Sequence, residues 1–193
     1  MSLQQIIIDN NIKIGLWEVE ESLEELLQLV GKISIPNCNT EKRKKEFLIS
    51  RLLLRNMSQN TSIHYNKFGA PELDNFQNIS ISHSKGLVAI ILGDEKVGLD
   101  IEQISDKPLK LSSKFIANDL HENLSKEKAT LIWCAKEAIY KWHQKGNIDF
   151  KTDIKLHNFE IAEKGTLIAE FKKERLFLNY QKINNHYLVY VCK

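Results

Sequence analysis

The sequence contains little cysteine. Its three cysteines, Cys38, Cys134 and Cys192, are far apart among 193 residues, and no two of them form a Cys-x-x-Cys pair. A disulfide framework or a zinc site normally needs a larger and more closely spaced set. We therefore expect reduced thiols, which are typical of a cytosolic protein.

Long apolar runs and a leader-like start are absent as well. The opening stretch MSLQQIIIDNNIKIG has no basic region and only a short run of isoleucine, unlike a secretory signal peptide. No segment approaches the roughly 18 consecutive apolar residues of a membrane-spanning helix. The sequence thus predicts a cytoplasmic protein that does not bind a membrane.

Neither sign of charge is in excess. The 27 lysines and arginines nearly balance the 25 aspartates and glutamates, and the formal net charge is +2. No overall electrostatic field therefore demands a nucleic-acid partner. The hydrophobic content of 42% is that of a globular protein, and the length allows one large domain or two small ones.

The order of hydrophobic patterns predicts an α+β fold with two similar halves, residues 1–104 and 105–193. In the first half, strand and helix patterns are followed by NISIS, LVAIIL and VGLDIE, which predict an antiparallel meander with GDEK as a hairpin turn. In the second half, a helical region at about 107–145 precedes four strand patterns, with turns at Gly165 and Asn184-Asn185. Each half is expected to be an antiparallel sheet packed with helix.

The stretch VGLDIE places two carboxylates close together. Asp100 and Glu102 alternate with apolar residues, so in a strand they share one face, roughly 7 Å apart. Like charges at that spacing repel each other unless the face is solvated or a cation lies between them. A solvated face and a divalent-cation site are both consistent with this stretch alone.

A third carboxylate lies in the helical stretch WCAKEAIYK. Glu137 and Lys141 are spaced i, i+4, which by itself is typical of a helix-stabilising ion pair. Together with Asp100 and Glu102, however, Glu137 would complete an oxygen-only site of the kind that Mg²⁺ prefers. His83, at the end of NISISHS, is either a surface residue or, with the serines beside it, a set of donors for a phosphate.

Four consecutive basic residues, Lys42, Arg43, Lys44 and Lys45, stand at the start of the predicted helix EKRKKEFLISRLLLRNM, which Thr40 could cap. Positive charge in a first turn opposes the helix dipole. The cluster is therefore either a solvated face or a surface for an anionic partner.

The stretches ISHS, VGLDIE and WCAKEAIYK, in this order, resemble the signatures SHS, GxDxE and WxxKExxxK of the 4′-phosphopantetheinyl transferases. The loop FGAPELDNFQN before them is similar to the corresponding loop of that family. The length resembles that of the larger, monomeric, surfactin-synthetase-activating type, whereas the holo-acyl-carrier-protein synthases are shorter and trimeric.

The resemblance implies a pseudo-dimer of two α+β halves with the active site between them. It also implies an enzyme that transfers the phosphopantetheine arm of coenzyme A to a serine of an apo acyl or peptidyl carrier protein, with Mg²⁺, and releases adenosine 3′,5′-bisphosphate. Two alternatives stay open: another Mg²⁺-dependent phosphoryl-transfer enzyme, and a non-catalytic coenzyme A-binding protein.

The residue roles implied by the resemblance fall into three groups. The expected Mg²⁺ ligands are Asp100, Glu102 and Glu137, and Glu137 is also the expected base for the attacking serine. Lys141 is expected to neutralise or protonate the leaving group. Contacts to coenzyme A are expected from Ser82, His83, Lys136 and Asp100, with Arg43, Lys44 or Lys45 at the 3′-phosphate.

One position departs from the family pattern. The loop before the first signature reads Gly69-Ala70-Pro71, where the family often has Gly-Lys-Pro. The lysine that would contact the nucleotide is therefore absent, and Lys67 is the basic residue that could replace it.

Overall fold

The computed structural model describes residues 3–9, 11–36, 40–58, 61–75, 77–116 and 124–193, with the backbone alone for residues 3–9. The chain divides into two compact units, Met1–Glu95 and Lys96–Lys193. We call them the N-terminal unit and the C-terminal unit. Each contains an antiparallel sheet and helices, so the predicted α+β class is confirmed.

The N-terminal unit is built on a four-stranded antiparallel sheet with the strand order β1-β2-β6-β5. A separate two-stranded ribbon is formed by β3 and β4. The strands are β1 (Leu3–Asp9), β2 (Ile12–Glu18), β3 (Ile63–Tyr65), β4 (Pro71–Leu73), β5 (Asn78–Ser84) and β6 (Leu87–Gly93).

Helix α2 (Glu41–Met57) packs on β2 and β6 of this sheet, and helix α1 (Leu23–Val30) packs on α2. Their apolar faces form one core with β6, in which Leu48, Leu53 and Ile90 are fully buried. The Thr40 side chain accepts a hydrogen bond from the backbone N–H of Arg43, so the predicted helix cap is confirmed. This cap sets where α2 begins and hence where its first basic turn lies.

The C-terminal unit is built on a five-stranded antiparallel sheet with the order β7-β11-β10-β9-β8. Its helix α4 packs on β7 and β11, with its apolar side in the core. The strands are β7 (Val97–Gln103), β8 (Ile154–Leu156), β9 (Lys164–Phe171), β10 (Glu174–Ile183) and β11 (His186–Cys192), and the helices are α3 (Asp106–Lys110) and α4 (Lys126–His143), with a 3₁₀ turn at Ser112–Lys114.

The predicted three-stranded meander is wrong in its last strand. The strands β5 and β6 do form a hairpin, but β7 pairs with β11, in the register Leu99 opposite Tyr190. The stretch GDEK is therefore not a hairpin turn but the segment that connects the two units. Apolar alternation shows that a segment is a strand but does not show which strand it pairs with. The units consequently divide before VGLDIE, between Glu95 and Lys96, whereas the sequence placed the division after it.

A predicted turn is also wrong. Gly165 lies inside β9, opposite Tyr180 of β10, and a Cβ atom added to it would come within 3.0 Å of the Tyr180 ring. The glycine thus leaves space for an aromatic ring and does not serve a turn. The turn predicted at Asn184-Asn185 is confirmed, with Asn184 at a φ of 51°.

Among the described residues, no helix combines the length and the apolar character that a bilayer crossing requires.

Candidate active site

Helix α4 approaches β7 very closely at Gly98. A Cβ atom at this position would lie 2.1 Å from the Ala138 carbonyl oxygen and 2.6 Å from the Trp142 backbone nitrogen. Any side chain would therefore push the helix backbone away. Because alternate residues of a strand share a face, Asp100 and Glu102 point to the same side as Gly98, toward α4. The glycine of the second signature thus sets the distance between the carboxylates of β7 and the helix.

Asp100 is buried and paired with a lysine of α4. Its side chain is 5% exposed, and its Oδ1 accepts a hydrogen bond of 2.7 Å from Lys141 Nζ. A buried carboxylate is costly unless it is paired. The solvated face that the sequence left open is therefore wrong for Asp100, and Lys141 forms its ion pair across two elements.

Glu102 is held by an indole. Trp133 Nε1 donates a hydrogen bond of 3.1 Å to Glu102 Oε1. The Trp133 ring packs edge-on against Phe115, with ring centroids 5.1 Å apart, and also contacts Phe150. This role was missed in the sequence, although Trp133, Glu137 and Lys141 recur every four residues and so lie along one side of the helix.

Glu137 is partly buried, and the charges of Asp100, Glu102 and Lys141 act on it. Burial raises the pKa of its carboxyl to about 7, the Asp100 and Glu102 charges act in the same direction, and Lys141 opposes them. A carboxyl that exchanges its proton near neutral pH is suited to general-base chemistry. The mutual influence of the three carboxylates also shows that they share one electrostatic environment.

Cys134 lies beside the carboxylates but is not a nucleophile. Burial, followed by the charges of Asp100 and Glu102, raises the pKa of its thiol well above the ordinary value. A buried thiol that stays protonated is inert. Cys134 and Cys192 are both reduced thiols, whereas Cys38 lies outside the described residues.

Lys136 points away from the carboxylates. It is 1% exposed, and its ammonium donates hydrogen bonds to the Phe150 and Ile154 carbonyl oxygens, at 2.5 and 2.6 Å. These bonds tie the segment after α4 to the helix. The phosphate contact predicted for Lys136 would require its ammonium to leave both carbonyls.

The donor atoms of this region are of the type that a hard cation needs. Asp100, Glu102 and Glu137 offer carboxylate oxygens, which Mg²⁺ prefers over softer ligands. In the part of the chain that the structure describes, however, no group of three or more histidine, cysteine, aspartate or glutamate side chains is arranged to hold a metal ion. Lys141 and Trp133 instead hold two of the carboxylates. The carboxylate oxygens fit Mg²⁺ by their chemistry. In this structure, however, protein hydrogen-bond donors bind one oxygen of Asp100 and one oxygen of Glu102.

In the N-terminal unit, His83 of β5 meets the first turns of α2. Its Nε2 is 2.7 Å from Arg43 Nη1, and its Nδ1 is 3.3 Å from Glu46 Oε1. Ser82 lies on the opposite face of the strand and is only 4% exposed. The hydroxyl of Ser82 therefore does not point the same way as the His83 ring, although the sequence grouped them.

Two of the basic residues at the start of α2, Lys42 and Lys45, line part of a cavity of about 440 Å³. Lys42 pairs with Glu46 at 3.7 Å, and Lys45 pairs with Glu41 at 3.2 Å. Lys85, which follows β5, also lines the cavity and was not singled out in the sequence. Three lysines and two glutamates thus line an opening large enough for part of a nucleotide.

The loop with the unusual alanine is held by an asparagine. Asn66 Oδ1 accepts hydrogen bonds from the backbone N–H groups of Phe68 and Ala70, at 2.9 and 3.1 Å. Gly69 between them has a φ of 80°, a conformation that favours glycine. The Lys67 ammonium lies 5.0 Å from the centre of the Phe68 ring.

Comparison with known proteins leads to the same family as the signatures. The profile of the 4′-phosphopantetheinyl transferase superfamily matches residues 96–192. A curated relative, the 4′-phosphopantetheinyl transferase gsp of Aneurinibacillus migulanus, is 25% identical over 140 residues, which cover 67% of this chain and 57% of the relative. The profile match begins at the first residue of the C-terminal unit and includes both Gly98 and all three carboxylates. The chain belongs to the 4′-phosphopantetheinyl transferase superfamily.

Proposed function

We propose that this protein transfers the 4′-phosphopantetheine arm of coenzyme A to a serine of an apo acyl or peptidyl carrier protein. The observation that carries the proposal is the packing of β7 on α4, which gathers Asp100, Glu102, Glu137 and Lys141 within the region that matches the family. These residues come from two of the three signatures and supply acid–base groups and a cation together.

In the proposed reaction, the serine hydroxyl oxygen of the carrier attacks the β-phosphorus of coenzyme A. A new P–O bond forms, the bond to adenosine 3′,5′-bisphosphate breaks, and the nucleotide leaves with the electron pair. Glu137 takes the serine proton, since its carboxyl has a pKa of about 7 and exchanges a proton readily at neutral pH. Phosphoryl transfer needs mainly positioning and charge neutralisation from the protein.

Asp100, Glu102 and Glu137 would hold Mg²⁺, which would neutralise charge on the pyrophosphate oxygens. The Lys141 ammonium lies 2.7 Å from Asp100 Oδ1, and the Lys141 side chain is 25% exposed, so the ammonium can turn toward an incoming phosphate. There it would neutralise or protonate the leaving phosphate. Trp133 would keep Glu102 oriented, because its indole N–H is fixed by the surrounding aromatic rings.

The nucleotide would be bound by cations of the N-terminal unit. His83 and Arg43 lie within 2.7 Å of each other, and Lys45 lines the neighbouring cavity. The same basic first turns of α2 would attract a carrier protein that is acidic around its serine. We therefore expect the KM for the carrier to rise with ionic strength, and a flat salt response would contradict this part of the proposal.

The proposal is tested by intact mass spectrometry of a panel of apo carrier proteins, incubated with the protein, coenzyme A and Mg²⁺. We expect the carrier to gain the mass of one phosphopantetheine arm. This mass gain should disappear when a chelator is added and when the Asp100→Asn variant replaces the wild-type protein. Asp106→Asn is the matched control, because Asp106 is exposed on α3 and has no part in the site.

Two results would overturn the proposal. Coenzyme A binding without a mass gain on any carrier would indicate a non-catalytic coenzyme A-binding protein. Breakdown of coenzyme A in the absence of a carrier would indicate another Mg²⁺-dependent phosphoryl-transfer enzyme.

A further inference from the structure

Glu46 of α2 is a nearly buried carboxylate within a basic cluster. It is 8% exposed, while its partners Arg43 and His83 are 60% and 34% exposed. The carboxylate thus lies beneath two groups that solvent and ligands can reach. We propose that Glu46 is a positioning residue, which holds Arg43 and His83 ready for the phosphates of the nucleotide. This inference rests on the proposed function.

The geometry assigns one carboxylate oxygen to each partner. Glu46 Oε2 accepts from Arg43 Nη1 at 3.3 Å, and Oε1 faces His83 Nδ1, also at 3.3 Å. Arg43 and Glu46 lie one turn apart on α2, whereas His83 belongs to β5. The carboxylate therefore joins two elements and fixes the spacing between a guanidinium and an imidazole.

The contacts also define the form of the imidazole. A guanidinium has only donors, so His83 Nε2 accepts the hydrogen bond of 2.7 Å from Arg43 Nη1. Nδ1 then carries the ring proton and faces Glu46 Oε1 at 3.3 Å. Both ring nitrogens are engaged, and the ring is held in one orientation before any ligand arrives.

This arrangement lowers the cost of binding an anion. Long cationic side chains lose rotamer freedom when they close on a ligand, and groups that are already ordered lose less. The negative charge of Glu46 also offsets the repulsion among the cations nearby, which include Lys42 at 3.7 Å. Glu46 would contribute to nucleotide binding although its own charge repels phosphate.

The first test is the kinetics of Glu46→Gln, which keeps the shape of the side chain. The amide has one acceptor oxygen, so its NH₂ group must face either Arg43 or His83, both of which are donors. We expect the KM for coenzyme A to rise about tenfold while kcat stays within about twofold, because the variant weakens binding of the ground state and the transition state equally. Glu46→Asp keeps the charge and should recover part of the effect.

Glu24→Gln is the matched control. Glu24 is an exposed acidic residue in the first turn of α1, in the same unit, and its loss removes one charge without touching Arg43 or His83. Its KM for coenzyme A should equal that of the wild type. A rise of equal size in both variants would show a general charge effect and would overturn the positioning role.

The second test does not depend on turnover. The ¹⁵N shifts of the His83 ring, assigned with His83→Gln, should show the Nδ1–H tautomer in the free wild-type protein and a mixture in Glu46→Gln. Calorimetry with adenosine 3′,5′-bisphosphate should give about tenfold weaker binding to the variant. An unchanged tautomer with unchanged nucleotide affinity would overturn the inference even if the transferase is active. A wild type that transfers nothing but shows both differences would overturn the proposed function and leave the positioning role supported.

Discussion

Trp133 Nε1 donates a hydrogen bond to Glu102 Oε1 across 3.1 Å and so connects α4 to β7 beside the other two carboxylates. Its ring is wedged against Phe115 and Phe150. Because these aromatic contacts limit how far the indole can rotate, the hydrogen bond orients Glu102 and does not merely follow it. The spacing of Trp133 from Glu137, about one helical turn, places both side chains over the same part of the strand.

Replacing Trp133 by phenylalanine should therefore weaken activation by Mg²⁺. The variant keeps the aromatic packing but loses the N–H donor, and the loss of such a supporting bond typically costs about 10- to 100-fold in metal affinity. The Mg²⁺ concentration for half-maximal transfer measures the effect. Trp142→Phe is the control, since its indole donates to the Lys193 carbonyl and not to a carboxylate. Equal shifts in both variants would contradict an orienting role for Trp133.

Alanine at Gly98 should be far more damaging than alanine at Gly165. At Gly98 the added Cβ would collide with the backbone of α4, 2.1 Å from the Ala138 oxygen, whereas at Gly165 it would meet a Tyr180 ring that can move. Overpacking of this kind costs roughly 1–3 kcal/mol or more, and rigid backbone gives the upper end. Urea denaturation of the two variants compares the losses in the free energy of unfolding. Similar losses would show that α4 shifts without difficulty.

The stability of the metal-free protein should fall as the pH rises from about 5 to 8. The pKa of the Glu137 carboxyl is about 7 in the folded protein, above its ordinary value, so the folded state keeps a proton that the unfolded state releases. The stabilising contribution is full at acid pH and is lost as the pH passes the folded pKa. As the pH rises across this range, the free energy of unfolding of Glu137→Gln should increase by roughly 2 kcal/mol relative to that of the wild type.

Urea denaturation at a series of pH values, with a chelator present, measures this gain. Glu160→Gln serves as the control, because Glu160 is exposed and distant in the sequence from Asp100, Glu102 and Glu137. A constant difference between Glu137→Gln and wild type at all pH values would mean that Glu137 ionises normally.

Lys136→Met should reduce stability and leave the KM for coenzyme A unchanged. The variant leaves the Phe150 and Ile154 carbonyls without their buried donor, at a cost of roughly 2–4 kcal/mol. Thermal unfolding and the KM for coenzyme A are the two measurements, with Lys126→Met, on the exposed start of the same helix, as the control. A raised KM with unchanged stability would instead support the phosphate contact predicted from the sequence.

Local periodicity predicted most strands and helices of this fold, because burial of one face requires that periodicity. The partner of β7 was not predictable in this way. Leu99 and Ile101 alternate with polar residues in any pairing, and the partner strand β11 lies far along the chain from β7. The apolar pattern of a strand shows which of its faces is buried, but it does not show which strands lie beside it in the sheet.

The candidate site shows the same difference between local and distant features. The signatures predicted that Asp100, Glu102 and Glu137 lie together, and the charges of Asp100 and Glu102 help to raise the pKa of the Glu137 carboxyl to about 7. The partner of Lys141, by contrast, belongs to another element, and the burial of Lys136 depends on a segment beyond the helix. Such contacts join residues far apart in the sequence, so spacing along a helix does not reveal them.

The pairing of β7 with β11 has a consequence for biosynthesis. The strand with two of the carboxylates is the first of its sheet to leave the ribosome, and its partner residues, which include Val189 opposite Asp100, are the last. A nascent chain that ends before His186 carries all three signatures but lacks the neighbour that aligns β7. Since contacts this distant form slowly, the two carboxylates of β7 would be aligned with α4 only after the sheet is complete.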